Sequence, residues 1–360
     1  MIKVYVVHFS QGLQGYDWEK EVNEIQSINP DKIICMCMEE QNWSYLFNVF
    51  LNKIMPWIIQ NNKILDVVAP DVGNVKMNNV KVNSSMGMLF WQAVTIREWI
   101  DDLARDNLEQ LYPVSRYPGI QAEKLYTCYN NNPKYQRAIL VDMLARDRLL
   151  KDGIVSFTQP DKLSPPGHYA WQYHDGTRLT DEPDFILHSK PEYNPAVIPK
   201  SYLKGFLDVV TESEYGPNEF FLTEKTIKSL VFYKPFIVLG SPGFNTEFLA
   251  KKLGFQLYDE LFDYSFDSCE RVEDRAEGIV GNLKKLKHIL GDDAGKKDMI
   301  KRITRKLYYN RAKLFDIYFD PDKTIPDCFK FIRETSDYQF YGHTNSAWFS
   351  HMNAMNWIKL

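Results

Sequence analysis

Three adjacent residues, Thr223, Glu224 and Lys225, bring together the groups that hold a sugar and a phosphate. They open the run "LTEKTIKSLVFY", in which Thr223 suits an N-cap and Leu222 and Ile227 have the spacing of a hydrophobic staple. Glu224 and Lys225 then fall in the first helical turn, beside amides without partners inside the helix and at the positive end of its dipole. A phosphate at that turn meets backbone donors and an ammonium group. Glu224 repels phosphate, but an ionised carboxylate accepts hydrogen bonds from a pair of ribose hydroxyls. One turn can thus grip both parts of a nucleotide, whereas the plain alternative is that Glu and Lys are simply good helix formers. Arg137, in "CYNNNPKYQRAIL", stands on the first turns of the helix after a strand, where a guanidinium fork suits a diphosphate.

The elements that must position these residues follow a repeated grammar. In the first 115 or so residues, "IKVYVVHF", "KIICMCM" and "KILDVVAP" read as strands, and "WSYLFNVFLNKIMPWIIQ" and "SSMGMLFWQAVTIREWIDDLARDNLEQL" as helices. Such alternation favours a parallel sheet with helices on its faces. The Pro- and Gly-containing stretch 112–121 marks a boundary. The grammar then restarts with strand "KLYTCYN", helix "NPKYQRAILVDMLARDRLL" and strand "DGIVSFT", before a loop-rich interval over 159–201. After it come strand "FLDVVTES", helix "LTEKTIKSLVFY", strand and turn "KPFIVLGSPG", helix "FNTEFLAKKLG" and strand "FQLYD"; from Ser268 the chain reads as mostly helical. The expected fold is α/β: an N-terminal Rossmann-like domain over 1–115, a second over 120–290 facing it, and a helical C-terminal extension over 291–360.

Composition sets further bounds. The 360 residues are 44% hydrophobic and 25% charged, with no apolar run that spans a bilayer and no cleavable leader, so the expected location is cytoplasmic. Five cysteines without CxxC spacing argue against a disulfide framework and a structural zinc site, and Cys35 and Cys37 share a strand face as core residues. No G-x-G-x-x-G follows a strand, which disfavours an NAD-dependent enzyme. Residues 282–313 hold eleven Lys or Arg against three Asp, with Tyr308 and Tyr309 among them. That tract suits an anionic partner, or else a pair of solvated helix faces.

The segment "FLDVVTESEYGPNEFFLTEKTIKSLVFYKPFIVLGSPG" resembles the donor-binding segment of the α-1,3-fucosyltransferases, in which Glu-Asn-Ser leads through a short aromatic loop to Thr-Glu-Lys, a helix, a strand and Gly-Ser-Pro. "CYNNNPKYQR" is similar to that family's Ser-Asn-Pro segment ending in Arg, and the resemblance covers roughly Leu125 to Asp259. It implies Arg137 and Lys225 as diphosphate ligands, Glu224 as a ribose ligand, and either Glu212 or Glu214 as the acid of Glu-Asn-Ser. The middle residue of that triplet is missing here, and the loop before Thr223 is about two residues longer. The implied protein is a GT-B glycosyltransferase of two facing Rossmann-like domains. Its second domain holds a nucleotide-sugar as co-substrate, its first holds the acceptor, and no metal is obligatory.

In an inverting transfer a base takes the proton of the acceptor hydroxyl while positive groups stabilise the departing diphosphate. Base candidates at strand ends of the first domain are His8, Glu39, Glu40 and Asp71, and nothing in the sequence chooses among them. Asp320 and Asp322 have Asp-x-Asp spacing, but Pro321 between them reads as a turn or cap. The acceptor is a glycan, or a hydroxymethylated base of viral DNA reached through the 282–313 tract. Against DNA, residues 1–115 hold nine Lys or Arg and fourteen Asp or Glu. The competing reading is a non-catalytic nucleotide- or polysaccharide-binding protein on the same fold.

Overall fold

The computed structural model describes residues 1–9, 16–37, 43–69, 78–84, 122–130, 134–157, 202, 204–213, 215–216, 220, 222–319, 327–334 and 337–343. The expected boundary at 112–121, the long helix ending near residue 111, the whole 159–201 interval and the Asp320–Asp322 pair lie outside them. The chain divides into two compact units, Met1–Val94 with Ile317–Leu360, and Thr95–Asp316.

The first unit is built on five parallel strands in the order β4-β3-β2-β1-β9. They are β1 (Ile2–Phe9), β2 (Lys32–Cys37), β3 (Leu65–Ala69), β4 (Val80–Ser84) and β9 (Tyr338–Gly342). Because strand side chains alternate with period two, β1, β2 and β3 each supply two cores. Tyr5, Val7, Ile33, Cys35, Leu65 and Val67 pack with Val22 and Ile25 of α1 (Trp18–Ile28) and Phe50, Ile54 and Ile58 of α2 (Trp43–Gln60). Val4, Val6, Ile34, Met36 and Val68 pack with Phe329 and Ile332 of α7 (Asp327–Glu334). Burial on both faces explains why these strands read as continuous apolar runs. Cys35 is in the core as expected, while the side chain of Cys37 lies outside the described residues.

The C-terminal segment departs from the sequence reading. It is not one helical extension from 291: up to Asp316 it belongs to the second unit, and from Ile317 to the first. Its β9 pairs in parallel with β1, from Ile2 opposite Tyr338 to Val6 opposite Gly342. Gly342 has φ +81°, and a Cβ there would lie 2.5 Å from the Val6 carbonyl oxygen. A five-residue strand, "YQFYG", carries too short an alternation to stand out beside helical neighbours.

The second unit has four parallel strands in the order β6-β5-β7-β8. They are β5 (Lys124–Asn130), β6 (Gly153–Phe157), β7 (Gly205–Thr211) and β8 (Phe236–Leu239), with β7 buried along its whole length. Helix α3 (Tyr135–Arg146) follows β5, and α4 (Glu224–Val231) links β7 to β8. A π-helix (Phe244–Lys252), α5 (Val272–Ile289) and α6 (Asp293–Phe319) complete it. "FQLYD" is not a strand: the amide and carbonyl of Gln256 are met by the Asn310 side chain of α6, at 2.7 and 2.8 Å, instead of by a sheet partner. A side-chain amide thus replaces the ladder, which satisfies the backbone equally well.

Strand order locates where each sheet can bind. In the second unit the chain passes from β5 outward to β6, then returns to place β7 on the other side of β5 and continues to β8. In the first it runs β1 to β4 in one direction and adds β9 on the opposite side of β1. Open parallel sheets hold ligands beyond the carboxyl ends of their strands at such reversals, here β5/β7 and β1/β9.

Candidate functional site

At the β5/β7 reversal two helix starts converge on Glu212 and Ser213, the residues that follow β7. From the start of α3, Gln136 Nε2 donates to the Glu212 carbonyl at 3.0 Å and Lys134 Nζ to the Ser213 carbonyl at 2.8 Å. From the start of α4, Lys225 Nζ donates to Ser213 Oγ at 3.3 Å. The strand ends beneath are tied together: Thr211 Oγ1 donates to Asn130 Oδ1 at 2.6 Å, and the Asn130 amide donates to Ser156 Oγ at 3.1 Å.

The Glu212 carboxylate is fully buried and fixes the entry of α4. Its Oε2 accepts from Thr223 Oγ1 at 2.6 Å, and its Oε1 accepts from the Thr223 amide at 3.1 Å and from Thr226 Oγ1. Thr223 is the N-cap, accepting from the Lys225 amide at 3.3 Å, and Leu222 and Ile227 are both buried, as a staple requires. One first-turn amide expected to meet a phosphate is therefore already occupied. What the turn presents is side chains: Lys225 Nζ lies 3.2 Å from Glu224 Oε1 and 3.1 Å from Thr223 Oγ1. The side chains of Lys225 and Glu224 are 24% and 25% exposed, enough to touch a ligand.

Burial pushes the Glu212 carboxyl above the ordinary range, against the opposing pull of Lys225 and the threonine hydrogen bonds. For Glu224 burial acts the same way, but Lys225, the residue's own amide and Lys228 together hold it below the ordinary range. Burial lowers Lys228, with Glu224 and Asp208 opposing. Glu224 is thus the partly exposed carboxylate of the turn, and Glu212 is committed to holding the turn in place.

Arg137 stands where the sequence places it, on the first turn of α3 at the strand's carboxyl end, and its side chain is buried, with the residue 3% exposed. Glu214 lies outside the described residues.

Two buried cations that the sequence did not single out hold the sheet, Lys234 at the amino end of β8 and Arg275 at its carboxyl end. Lys234, just before β8, donates to Asp208 Oδ1 at 2.9 Å, to Thr127 Oγ1 at 2.8 Å and to the Tyr202 carbonyl, and lies 4.0 Å from the Tyr202 ring centroid. Asp208, in the middle of β7, also accepts from Ser229 of α4 at 2.7 Å, from the Tyr202 hydroxyl and from Thr127. Arg275 of α5 donates only to backbone carbonyls: Gly240 at 3.0 Å, Cys269 at 2.6 Å, Glu270 at 2.9 Å and Tyr215 at 2.8 Å. It thereby pins the end of β8 and the loop after β7. Past Gly240 the chain turns at Gly243, φ +79°, and Asp267 caps the π-helix through the Asn245 and Thr246 amides at 3.2 and 2.8 Å.

In the first unit, a second polar cluster sits at the β1/β9 reversal. His343 follows β9, and its Nε2 is 2.9 Å from the Tyr16 hydroxyl and 3.5 Å from Glu21 Oε2. Tyr16 donates to the same carboxylate oxygen. Burial works against the charge of Glu21, yet His343, Tyr16 and Tyr5 hold its carboxyl below the ordinary range. Sequence reasoning passed over His343 because it was placed in a helical tail. Of the four expected bases, His8 lies on β1 with its side chain outside the described residues, as Glu39, Glu40 and Asp71 are entirely.

The basic tract is less free than its composition implies. Lys284 pairs with Asp147 at 2.9 Å, Lys287 with Asp152 at 2.7 Å, Arg302 with Asp298 at 2.6 Å and Lys306 with Glu260 at 2.8 Å. Lys296 donates to the Ala122 carbonyl at 2.8 Å and Arg311 to the Val231 carbonyl at 3.1 Å. Among the described residues no helix is long and apolar enough to cross a membrane, and no group of three or more His, Cys, Asp or Glu is placed to hold a metal. Comparison with known proteins finds no matching family model, no matching curated protein and no matching solved structure.

Proposed function

We propose that the second unit binds a nucleotide-diphosphate sugar and that the protein is a glycosyltransferase of GT-B arrangement, inverting and independent of metal. The observation that carries this reading is the convergence of α3 and α4 on Glu212 and Ser213 at the β5/β7 reversal, with Lys225 and Glu224 at the surface of that edge. Lys225 and Arg137 meet the diphosphate and Glu224 the ribose hydroxyls, the assignment implied by the resemblance to the α-1,3-fucosyltransferases. In the reaction the acceptor oxygen bonds to the anomeric carbon while the bond from that carbon to the diphosphate oxygen breaks. The departing negative charge develops beside Lys225, and a general base takes the acceptor proton. His343, oriented by Glu21 and Tyr16 at the β1/β9 reversal, joins His8, Glu39, Glu40 and Asp71 as a candidate for that base. The acceptor hydroxyl belongs to a glycan or to a hydroxymethylated base of DNA.

The test is a thermal-shift panel of UDP-, GDP-, CMP- and dTDP-sugars, followed by assay of nucleotide release with glycan and hydroxymethylated-DNA acceptors. One nucleotide class is expected to raise the unfolding temperature, since a ligand at 100 times its Kd stabilises the folded state by about 2.7 kcal/mol. Release of that nucleotide is expected only with acceptor present. If no nucleotide-sugar stabilises the protein, the reading is wrong. Binding without release for any acceptor would instead favour a non-catalytic nucleotide-binding protein.

A further inference from the structure

Along α6 the residues Lys297, Lys301, Arg305 and Tyr309 recur every four positions, and all four are exposed. This spacing stacks them on one face with a rise of about 6 Å per step, about 18 Å in all. Their surroundings set them apart from Lys284, Lys287, Arg302 and Lys306 of the same tract. Asp147, Asp152, Asp259 and Glu260 are engaged by Lys284, Lys287 and Lys306, and Asp298 on the same face of α6 is engaged by Arg302. Among the described residues the side chains of Lys297, Lys301 and Arg305 have no ion-pair or hydrogen-bond partner. Three uncompensated cations therefore stand in a row. Beside them Tyr308 and Tyr309 are 45% and 43% exposed, and Tyr308 meets the Tyr233 ring edge-on at 5.0 Å.

A solvated helix face has no need to align its unpaired cations, and it gains nothing from exposing two tyrosine rings among them. Ordered positive charge ending in exposed aromatic rings suits a single-stranded nucleic acid, whose phosphates meet the cations and whose unstacked bases meet the rings. An acidic polysaccharide would use the charge but has no flat π-face for the tyrosines.

We propose that the exposed face of α6 binds a single-stranded nucleic-acid segment, with Lys297, Lys301 and Arg305 on the phosphates and Tyr309 stacked on a base. The proposal does not depend on the transferase reading, because the binding requires no nucleotide-sugar. The test is fluorescence anisotropy of a labelled oligothymidylate with the full chain, titrated across a range of salt concentrations and without any donor. Wild type is expected to bind with strongly salt-dependent affinity. The variant Lys297→Glu/Lys301→Glu/Arg305→Glu should bind far more weakly, with a log–log salt slope shallower by about 2, as expected for three lost contacts to a single strand. Glutamate is a good helix former at exposed positions, so its unfolding temperature should stay near that of wild type. Tyr309→Ala should lose about tenfold in affinity with the salt slope unchanged. Absence of binding at about 50 mM salt, or equal binding by the triple variant, would overturn the proposal. So would heparin binding as tightly as the oligonucleotide together with no effect of Tyr309→Ala.

Discussion

Replacing Lys234 with Met is expected to destabilise the protein by about 3–5 kcal/mol, among the largest costs of any single substitution. The ammonium is 3% exposed and is held between Asp208, Thr127 and Tyr202. Removing it leaves a carboxylate in the middle of a fully buried strand with only hydroxyl donors. Such a group must take up a proton or carry an uncompensated charge, and both cost stability. The double variant Asp208→Asn/Lys234→Met removes the charges together, so it should be less destabilised than the sum of the two single variants. Urea denaturation at constant m-value provides the measurement. A loss below about 1 kcal/mol for Lys234→Met would mean that the pair does not hold β7, β8 and α4 together.

Replacing Glu212 with Ala is expected to cost about 3 kcal/mol and to loosen the start of α4. The substitution leaves the buried Thr223 amide and the Thr223 and Thr226 hydroxyls without their acceptor. Glu212→Gln should recover only part of this. Its amide oxygen can still accept from Thr223, but its NH2 must face a hydroxyl that already accepts from the Lys225 amide and ammonium. Hydrogen exchange should therefore speed up at the amides of Thr223 to Ile227 in Glu212→Ala, and less in Glu212→Gln. If Glu212→Ala unfolds within about 0.5 kcal/mol of wild type, the carboxylate does not anchor this turn.

The strands and helices of both units were largely legible because parallel strands covered on both faces read as apolar runs separated by helical periodicity. The cap at Thr223 and the staple around it were legible for a similar reason: their signals lie within five residues. What escaped depends on partners distant in sequence. Lys234 looks like a polar residue before a strand, because Asp208 is 26 positions away. Arg275 looks like any helical arginine among acids, since its four acceptors are backbone carbonyls that have no sequence signature. Arg137 illustrates the converse: its position at the strand edge was legible, but its burial depends on how α3 packs. The β9 strand and His343 were hidden by the helical pattern before them. The eleven cations of 282–313 overstated the free charge, because pairing with acids on other elements is a tertiary event.

The central claim is that Lys225 and Glu224 at the start of α4 hold the donor. It is tested most directly by calorimetric titration of wild type and Lys225→Ala with the nucleotide-sugar that stabilises the protein. Thr223 still caps the helix in this variant through the amide of residue 225, but Glu224 and Glu212 lose a neighbouring cation, so a modest fall in unfolding temperature is expected and the titrations are compared where both proteins are folded. The variant's affinity should fall by about tenfold or more, the worth of a hydrogen bond to a charged group. Equal affinity in the two proteins would contradict the account.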